Sequence, residues 1–325
     1  MNRSTDELFN EIIAGNKRIL GKAITLIESK KKEHREQADQ LLERLMPFSG
    51  NSIRVGITGV PGAGKSTFIE AFGKLAIENN HKVAVLAIDP SSSRNKGSIL
   101  GDKTRMEELS REENAFIRPS PSSGFLGGVA NTTFETMILC EAAGYDFILI
   151  ETVGVGQSEV LVADISDVFL FLKLIGGGDE LQGIKRGVME MVDLIFINKV
   201  DDENRQAAKN TRLELKRALD FLPEKNQGWK TPVLMGSALY NEGTDEVYQK
   251  IIEFIDNKKK HSTFLQTREM QAEKRFDYWV REYFLQSIKN SADSTTEFAD
   301  LKAKVSKLKA NPSTQAKIFV DKLLR

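Results

Sequence analysis

Short runs of apolar residues alternate with longer amphipathic stretches between residues 53 and 258. One run, Val83–Ile88, has no polar position, which is typical of a strand buried on both faces of a sheet. Parallel strands of this kind need crossover helices between them. The pattern therefore predicts an α/β fold with a doubly wound, mostly parallel sheet. Its strands are expected near residues 53–58, 82–88, 115–118, 146–151, 166–173, 193–198 and 232–236.

Both ends of the chain have helical rather than strand patterns. Ser4 and Glu7 match a capping box, and apolar residues recur at helical spacing from there to about residue 46. After residue 262 an apolar stripe follows at helical spacing. The stripe comprises Phe276, Trp279, Val280, Tyr283, Phe284 and Ile288. We therefore expect a helical N-terminal extension at 1–50, an α/β domain at 51–260 and a helical C-terminal arm at 261–325.

Charge and composition limit the kinds of partner. The 325 residues include 46 Lys plus Arg and 46 Asp plus Glu, so no overall field attracts nucleic acid or an anionic membrane. The longest apolar stretch, Val168–Ile175, contains Lys173 and is too short to span a bilayer. The single cysteine, Cys140, lies in an apolar run, where a buried, inert thiol is expected. The first residues lack the apolar centre of a signal peptide. We expect a cytoplasmic protein that binds neither nucleic acid nor membrane.

A phosphate-binding loop follows the first predicted strand. The string matches G-x-x-x-x-G-K-[ST] and precedes a helical segment, as that motif requires. It comprises Gly59, Val60, Pro61, Gly62, Ala63, Gly64, Lys65 and Ser66. Its backbone N–H groups and the helix N-terminus would surround the phosphates, Lys65 would reach the β and γ oxygens, and Ser66 would hold Mg²⁺. The sequence therefore predicts a nucleoside triphosphate site.

A second motif selects the base. Asn198, Lys199 and Asp201 form N-K-x-D directly after the predicted strand at 193–198. The Asp201 carboxylate can accept hydrogen bonds from N1–H and the 2-amino group of guanine, whereas adenine offers no matching pair of donors. Ser237, Ala238 and Leu239 follow the next strand and would contact the edge of the base. The motifs together predict GTP and GDP as the ligands.

Two carboxylates and one glycine are expected beside the phosphates. Asp89 and Glu151 end predicted strands, and either can order Mg²⁺ or its water shell. Gly154 would present its N–H to the γ-phosphate, so we expect the loop 154–158 to respond to hydrolysis. We assign catalytic roles to Lys65, Asp89, Glu151 and Gly154. Gln157 and Arg105 are candidates for positioning the attacking water and for stabilising the transition state, respectively.

Longer strings give the chain a family resemblance. They span Gly59–Thr67, Asp89–Ser92, Gly97–Met106, Arg118–Gly124, Glu151–Glu159 and Gly178–Lys185. Together they resemble the MeaB/ArgK family, G-protein chaperones of adenosylcobalamin-dependent methylmalonyl-CoA mutase, over nearly the whole chain. The strings between Asp89 and Lys185 are far more specific than the phosphate loop, which many unrelated NTPases share.

The resemblance implies more than the spacing of the motifs does. It implies that Asp89, Asp102 and Glu151 arrange Mg²⁺ with Ser66, that Thr67 belongs to the nucleotide site, and that three switch segments lie at 91–104, 154–159 and 176–185. It also implies a homodimer held by the C-terminal arm. The expected partners are the mutase and its adenosyltransferase. The implied function is a GTPase that gates adenosylcobalamin delivery to a methylmalonyl-CoA-type mutase and protects or reactivates it.

Two other functions remain open from the sequence. A metallochaperone GTPase usually has a His or Cys cluster, whereas this chain has His34, His81, His261 and Cys140 far apart in the sequence. An ATP-dependent kinase of basic amino-acid transport would have to bind adenine, which the motif ending at Asp201 disfavours.

Overall fold

A computed structural model describes eight stretches of the chain: residues 3–29, 31–89, 106–121, 126–152, 158–176, 186–293, 296–307 and 310–323. The chain divides into two compact units, Met1–Thr267 and Arg268–Arg325. Among the described residues, no helix is long and apolar enough to cross a membrane.

The first unit contains a seven-stranded sheet in which every pair of neighbours is parallel. The strands are β1 (Ile53–Gly59), β2 (Val83–Asp89), β3 (Ala115–Pro121), β4 (Phe147–Thr152), β5 (Val168–Leu174), β6 (Leu194–Asn198) and β7 (Val233–Met235). Their order is β3-β2-β4-β1-β5-β6-β7. All seven predicted strands and the doubly wound α/β fold are confirmed. In such sheets ligands bind outside the carboxyl ends of the strands, where the strand order reverses. Here that point is the end of β1.

Helices connect and flank the strands in the first unit. They are α1 (Thr5–Ile13), α2 (Lys17–Ile27), α3 (Lys32–Leu45), α4 (Lys65–Glu78), α5 (Glu107–Arg111), α6 (Leu126–Ala142), α7 (Ser158–Ala163), α8 (Arg186–Met191), α9 (Arg205–Asp220) and α10 (Thr244–Lys260). The capping box at the start of α1 is formed, since the side chains of Ser4 and Glu7 each accept the other's backbone N–H. Short 3₁₀ turns occur at Met46–Phe48 and Ala238–Tyr240.

The sheet has a separate apolar core on each face. One core contains residues of α4 and α10, with Phe68 and Phe72 stacked beside Phe196 and Phe147. The other core joins the sheet to α6 and to the buried faces of α1, α2 and α3. The predicted helical N-terminal segment therefore packs into the same core as the sheet. Cys140 is fully buried in this core, and burial raises the pKa of its thiol, as an inert role requires.

Three ion pairs attach the N-terminal segment and β1 to this side of the molecule. Arg35 contacts both carboxylate oxygens of Glu135 on α6, and Arg118 on β3 binds Glu28. Arg54 on β1 makes two hydrogen bonds to Glu141 at the end of α6, of 2.8 and 3.0 Å. Through Glu135 and Glu141, α6 therefore binds both the N-terminal helix α3 and the central strand β1.

The long helix α11 (Thr263–Asp293) passes from the first unit into the second, which also contains α12 (Thr296–Ser306) and α13 (Pro312–Leu323). Phe298 and Phe319 pack together between α12 and α13, with ring centroids 4.9 Å apart. On α11, Phe276, Val280, Tyr283 and Phe284 are 69, 51, 47 and 47% exposed. The helical C-terminal region is present, and much of its apolar stripe faces solvent in the single chain.

Candidate functional site

The phosphate loop lies between the end of β1 and the start of α4, at the point where the strand order reverses. Gly64 is the N-cap of α4 and adopts a left-handed conformation, with φ of 82°. The first N–H groups of a helix have no partner within it and carry partial positive charge. The sequence therefore folds locally into a site for an anion at the N-terminus of α4.

The ammonium group of Lys65 lies over this loop. Its Nζ donates hydrogen bonds to the carbonyl oxygens of Gly59 at 2.8 Å and Val60 at 3.2 Å. Burial lowers the pKa of Lys65, and the charges of Glu151 and Glu159 act in the opposite direction. A buried ammonium gains stability from an anionic partner. Phosphate oxygens at this loop would therefore offset the cost of burying the Lys65 charge, and Lys65 would in turn neutralise part of their charge.

Asn198 connects the phosphate loop to the two base loops, which follow β6 and β7 at residues 199–204 and 236–240. This side chain at the end of β6 is 2% exposed. Its Nδ2 donates to the carbonyl of Ala63 at 2.9 Å, and its Oδ1 accepts from the backbone N–H of Ala238 at 3.0 Å. Because both ends of one amide are engaged, the distance between the phosphate loop and the base loop is fixed by a single buried residue.

The backbone after Asn198 makes a tight, defined turn. Lys199 has φ of 63°, a left-handed conformation that is uncommon outside glycine. The N–H of Val200 donates to the carbonyl of Gly236 at 3.0 Å, which joins this turn to the loop after β7. The two base loops therefore form one connected surface.

Asp201 is held by a neighbour that the sequence did not single out. The backbone N–H of Asp201 donates to Oδ1 of Asn204, and the backbone N–H of Asn204 donates to Oδ1 of Asp201, both at 2.9 Å. The side chain of Asn204 also donates from Nδ2 to the carbonyl of Lys199 at 3.0 Å. These three hydrogen bonds fix both the backbone and the carboxylate of Asp201.

A cavity of about 330 Å³ opens between the phosphate loop and the two base loops. Its walls include Gly64, Thr67, Asn198, Lys199, Val200, Asp201, Ser237, Leu239 and Tyr240. Leu239 and Tyr240 are 70 and 72% exposed, an unusual exposure for large apolar side chains. A planar base placed in the cavity would cover part of this apolar surface. Tyr240 was not among the predicted site residues, because its position beyond the short Ser237–Leu239 string has no motif signal.

The predicted magnesium ligands are only partly within the described residues. Ser66 and Glu151 come together, since Oγ of Ser66 donates to Oε1 of Glu151 at 3.4 Å. Asp89 is the last residue of β2, but its side chain lies outside what the structure describes, as do Asp102 and Gly154. The candidates Gln157 and Arg105 also fall outside the described residues. The structure therefore brings one hydroxyl and one carboxylate of the predicted metal set together.

Comparisons with known proteins agree with the sequence motifs. A family model described as methylmalonyl Co-A mutase-associated GTPase MeaB matches residues 20–293. GTPase ArgK from Escherichia coli (strain K12) is 47% identical over 292 residues, covering 90% of this chain and 87% of that protein. A mouse protein described as methylmalonic aciduria type A homolog, mitochondrial, is 49% identical over 262 residues, covering 78% of this chain and 63% of that protein.

A solved structure shows the same fold along the whole chain. It is described as the crystal structure of a LAO/AO transport system kinase, and it matches with a TM-score of 0.78 and 36% sequence identity. The match covers 100% of this chain and 99% of that chain.

Proposed function

We propose, on the premise that this chain belongs to the MeaB family of methylmalonyl-CoA mutase-associated GTPases, that it gates the delivery of adenosylcobalamin to a methylmalonyl-CoA-type mutase. Membership confirms the family resemblance of the sequence and makes the chain a GTPase that binds GTP and GDP. We propose that it also protects or reactivates the mutase. The observation that carries the GTPase part of the proposal is the Asn198 amide, which joins a phosphate loop to a guanine-reading loop.

The base end of the site accounts for the choice of GTP. Oδ1 of Asp201 is oriented by the N–H of Asn204, and among the described residues Oδ2 of Asp201 has no hydrogen-bond partner. A carboxylate has room for about four donors. Guanine can therefore donate from N1–H and its 2-amino group, while Ser237 and Leu239 line the same cavity.

At the phosphate end, the chain supplies charge rather than covalent chemistry. Phosphoryl transfer depends mainly on positioning and on stabilising negative charge that spreads over the γ-phosphate oxygens. Lys65 and the N-terminus of α4 provide fixed positive charge here. The ammonium would exchange its carbonyl partners, Gly59 and Val60, for phosphate oxygens as GTP enters.

The oxygen donors at this end fit magnesium. Mg²⁺ prefers hard oxygen ligands and keeps several waters, so it needs few protein groups. The Ser66 hydroxyl and the Glu151 carboxylate, 3.4 Å apart, are donors of this type. We propose that they hold Mg²⁺ with Asp89 and Asp102, and that the ion supplies charge neutralisation on the β- and γ-phosphates when bound. Ser66 and Glu151 would together orient the Mg²⁺ ion.

The proposed partners are the mutase and its adenosyltransferase. The family and the name of the mouse relative support a connection with methylmalonyl-CoA metabolism. The third of the three switch segments that the resemblance implies, 176–185, directly precedes α8. We propose that this segment communicates with the mutase and that residues 154–159 report the γ-phosphate.

The test is phosphate release from GTP and from ATP, with and without a cobalamin-dependent acyl-CoA mutase from the same source. We expect GTP to be hydrolysed slowly and the mutase to accelerate it. Asp179→Ala and Lys185→Ala should leave intrinsic hydrolysis within about threefold, less than about 1 kcal/mol of barrier, but remove most of the acceleration. A preference for ATP would favour a kinase of the transport type. No response to any such mutase would reject the chaperone role, and full acceleration of both variants would reject the role of the loop.

A further inference from the structure

Asn204 occupies the N-cap position of α9, where Asn usually accepts a hydrogen bond from the second or third N–H of the helix. Here its side chain makes no such capping bond. It instead turns back toward the preceding loop. The contacts that the Asn204 side chain makes in place of a capping bond therefore indicate its role.

Those contacts converge on two residues that line the proposed base cavity. Oδ1 of Asn204 accepts the backbone N–H of Asp201, and Nδ2 donates to the carbonyl of Lys199. Lys199 has the left-handed backbone that turns the chain toward the cavity. The amide of Asn204 therefore spans the turn from Lys199 to Asp201 and holds it closed.

The geometry points to Asn204 as a positioning residue for guanine specificity. Its side chain holds the backbone on both sides of Val200 and so sets the direction in which the Asp201 side chain leaves the turn. The bond to the Asp201 carboxylate itself comes from the backbone N–H of Asn204 and remains in any substitution at this position. Guanine recognition requires one carboxylate to accept two roughly parallel donors, and hydrogen bonds weaken steeply when their angles deteriorate. A small rotation of the Asp201 carboxylate would therefore weaken the binding of guanine, which donates two hydrogen bonds to it, more than the binding of a base that donates only one. This inference rests on the proposed guanine site.

A neighbouring ion pair is a less effective candidate for the same role. Arg205 binds Glu242 at 2.9 Å and so bridges the two base loops, but the two side chains are 40 and 46% exposed. Exposed ion pairs of this kind are screened by solvent and contribute little to the stability of the contact that they bridge. The bonds of Asn204 act directly on the backbone of Lys199 and Asp201, so the positioning role belongs to Asn204.

The experiment compares GTP with ITP, which keeps N1–H but lacks the 2-amino group. Affinities of the full-length chain for both nucleotides are measured for the unchanged protein, Asn204→Ala, Asn204→Ser and Asp201→Asn. We expect Asn204→Ala to weaken GTP binding roughly tenfold and ITP binding much less, so that the GTP/ITP ratio falls at least about threefold. The serine hydroxyl in Asn204→Ser can still accept the Asp201 N–H. The GTP/ITP ratio of this variant should therefore lie between the ratios of Asn204→Ala and the unchanged chain.

Asn210→Ala is the matched control. Asn210 lies on the same helix and accepts a bond from Gln206 at 3.3 Å, away from both base loops. It should leave the ratio unchanged. If Asn204→Ala lowers the affinities for GTP and ITP equally, the GTP/ITP ratio stays unchanged. That result would show a structural role only and would overturn the inference. The Asp201→Asn arm separates the two proposals: if Asp201→Asn leaves the ratio intact, the guanine site itself is wrong, whatever Asn204 does.

Discussion

At the scale of single residues, Gly64 shows how closely the two halves of the nucleotide site approach each other. A Cβ atom at this position would lie 2.7 Å from Nδ2 of Asn198, a distance that real Cβ atoms essentially never have. Asn198 cannot simply move aside, because both ends of its amide are bonded. The glycine therefore serves both the left-handed turn and the contact between the loops.

Gly62 provides a matched comparison for a substitution at Gly64. Both glycines have φ of 82°, but a Cβ at Gly62 would meet nothing within 4 Å. The two alanine variants therefore share the backbone penalty of about 1–2 kcal/mol and differ only in the collision with Asn198. We expect Gly64→Ala to lower the free energy of unfolding by at least about 1 kcal/mol more than Gly62→Ala does. Urea unfolding without nucleotide measures this difference, and equal values would show that Asn198 relaxes freely.

Asp201 is the residue on which base selection should depend. Replacing it with Asn exchanges one acceptor for a donor, and a lost hydrogen bond to a charged group costs about 1.5–3 kcal/mol. We expect Asp201→Asn to weaken GTP binding at least about tenfold and to shift preference toward XTP, whose base has a carbonyl where guanine has the amino group. Competition between GTP, XTP and ATP checks this expectation. Retention of GTP preference would contradict it.

At the scale of elements, α6 is attached to β1 by a buried ion pair. The side chains of Arg54 and Glu141 are 6 and 1% exposed, and Glu141 also accepts from the Ser52 hydroxyl and the Gly50 N–H. Burial opposes ionisation of Glu141, but the charge of Arg54 and these hydrogen bonds outweigh it and hold the pKa of Glu141 below its usual range. The pair therefore fixes the position of α6 against the central strand.

Breaking this pair from one side should be costly. Arg54→Met leaves Glu141 buried without its counter-ion, so we expect a loss of about 3–5 kcal/mol in the free energy of unfolding. Adding Glu141→Leu should recover a good part of that loss, since the uncompensated charge is removed. Urea unfolding of the two variants and the unchanged chain makes the comparison. A loss in Arg54→Met below about 1 kcal/mol would mean that the pair is solvated in solution.

The same pair has a defined dependence on pH. Because the folded-state pKa of Glu141 is depressed, its stabilisation is present above the unfolded pKa of about 4.3 and declines as the pH falls through the folded value. The difference in stability between the unchanged chain and the variant Arg54→Met with Glu141→Leu should therefore shrink below about pH 4. A difference that stays constant between neutral and acid pH would contradict this.

At the scale of the whole molecule, α11 leaves an aromatic stripe exposed. Exposed apolar patches often mark interaction surfaces, and aromatic residues are enriched in the centres of such surfaces. We propose that the stripe buries itself against its copy in a homodimer, since a two-fold interface brings the same surface together. The paired helical arms would then connect two GTPase units.

Two substitutions on the stripe test the dimer. Phe276→Ser and Phe284→Ser together remove two large side chains that are 69 and 47% exposed, so the fold of a single chain should change little. We expect light scattering at micromolar protein to give a dimer mass for the unchanged chain and a monomer mass for the double variant. Ser287→Ala, at an exposed position on the same helix, is the control. A monomer mass for the unchanged chain would reject the proposal.

Local sequence determined much of this protein. Each strand was visible as an apolar run bounded by polar residues, and the phosphate loop and N-K-x-D were visible because their chemistry depends on adjacent residues. Tertiary structure alone decided which segments meet. The insertion of β4 between β1 and β2, the contact of Asn198 with Ala63 across 135 positions and the packing of α1–α3 into the sheet core all arise from burial between distant segments. Asn204 belongs to the same group, because in sequence it is an ordinary helix cap and only the folded turn gives it Asp201 and Lys199 as partners.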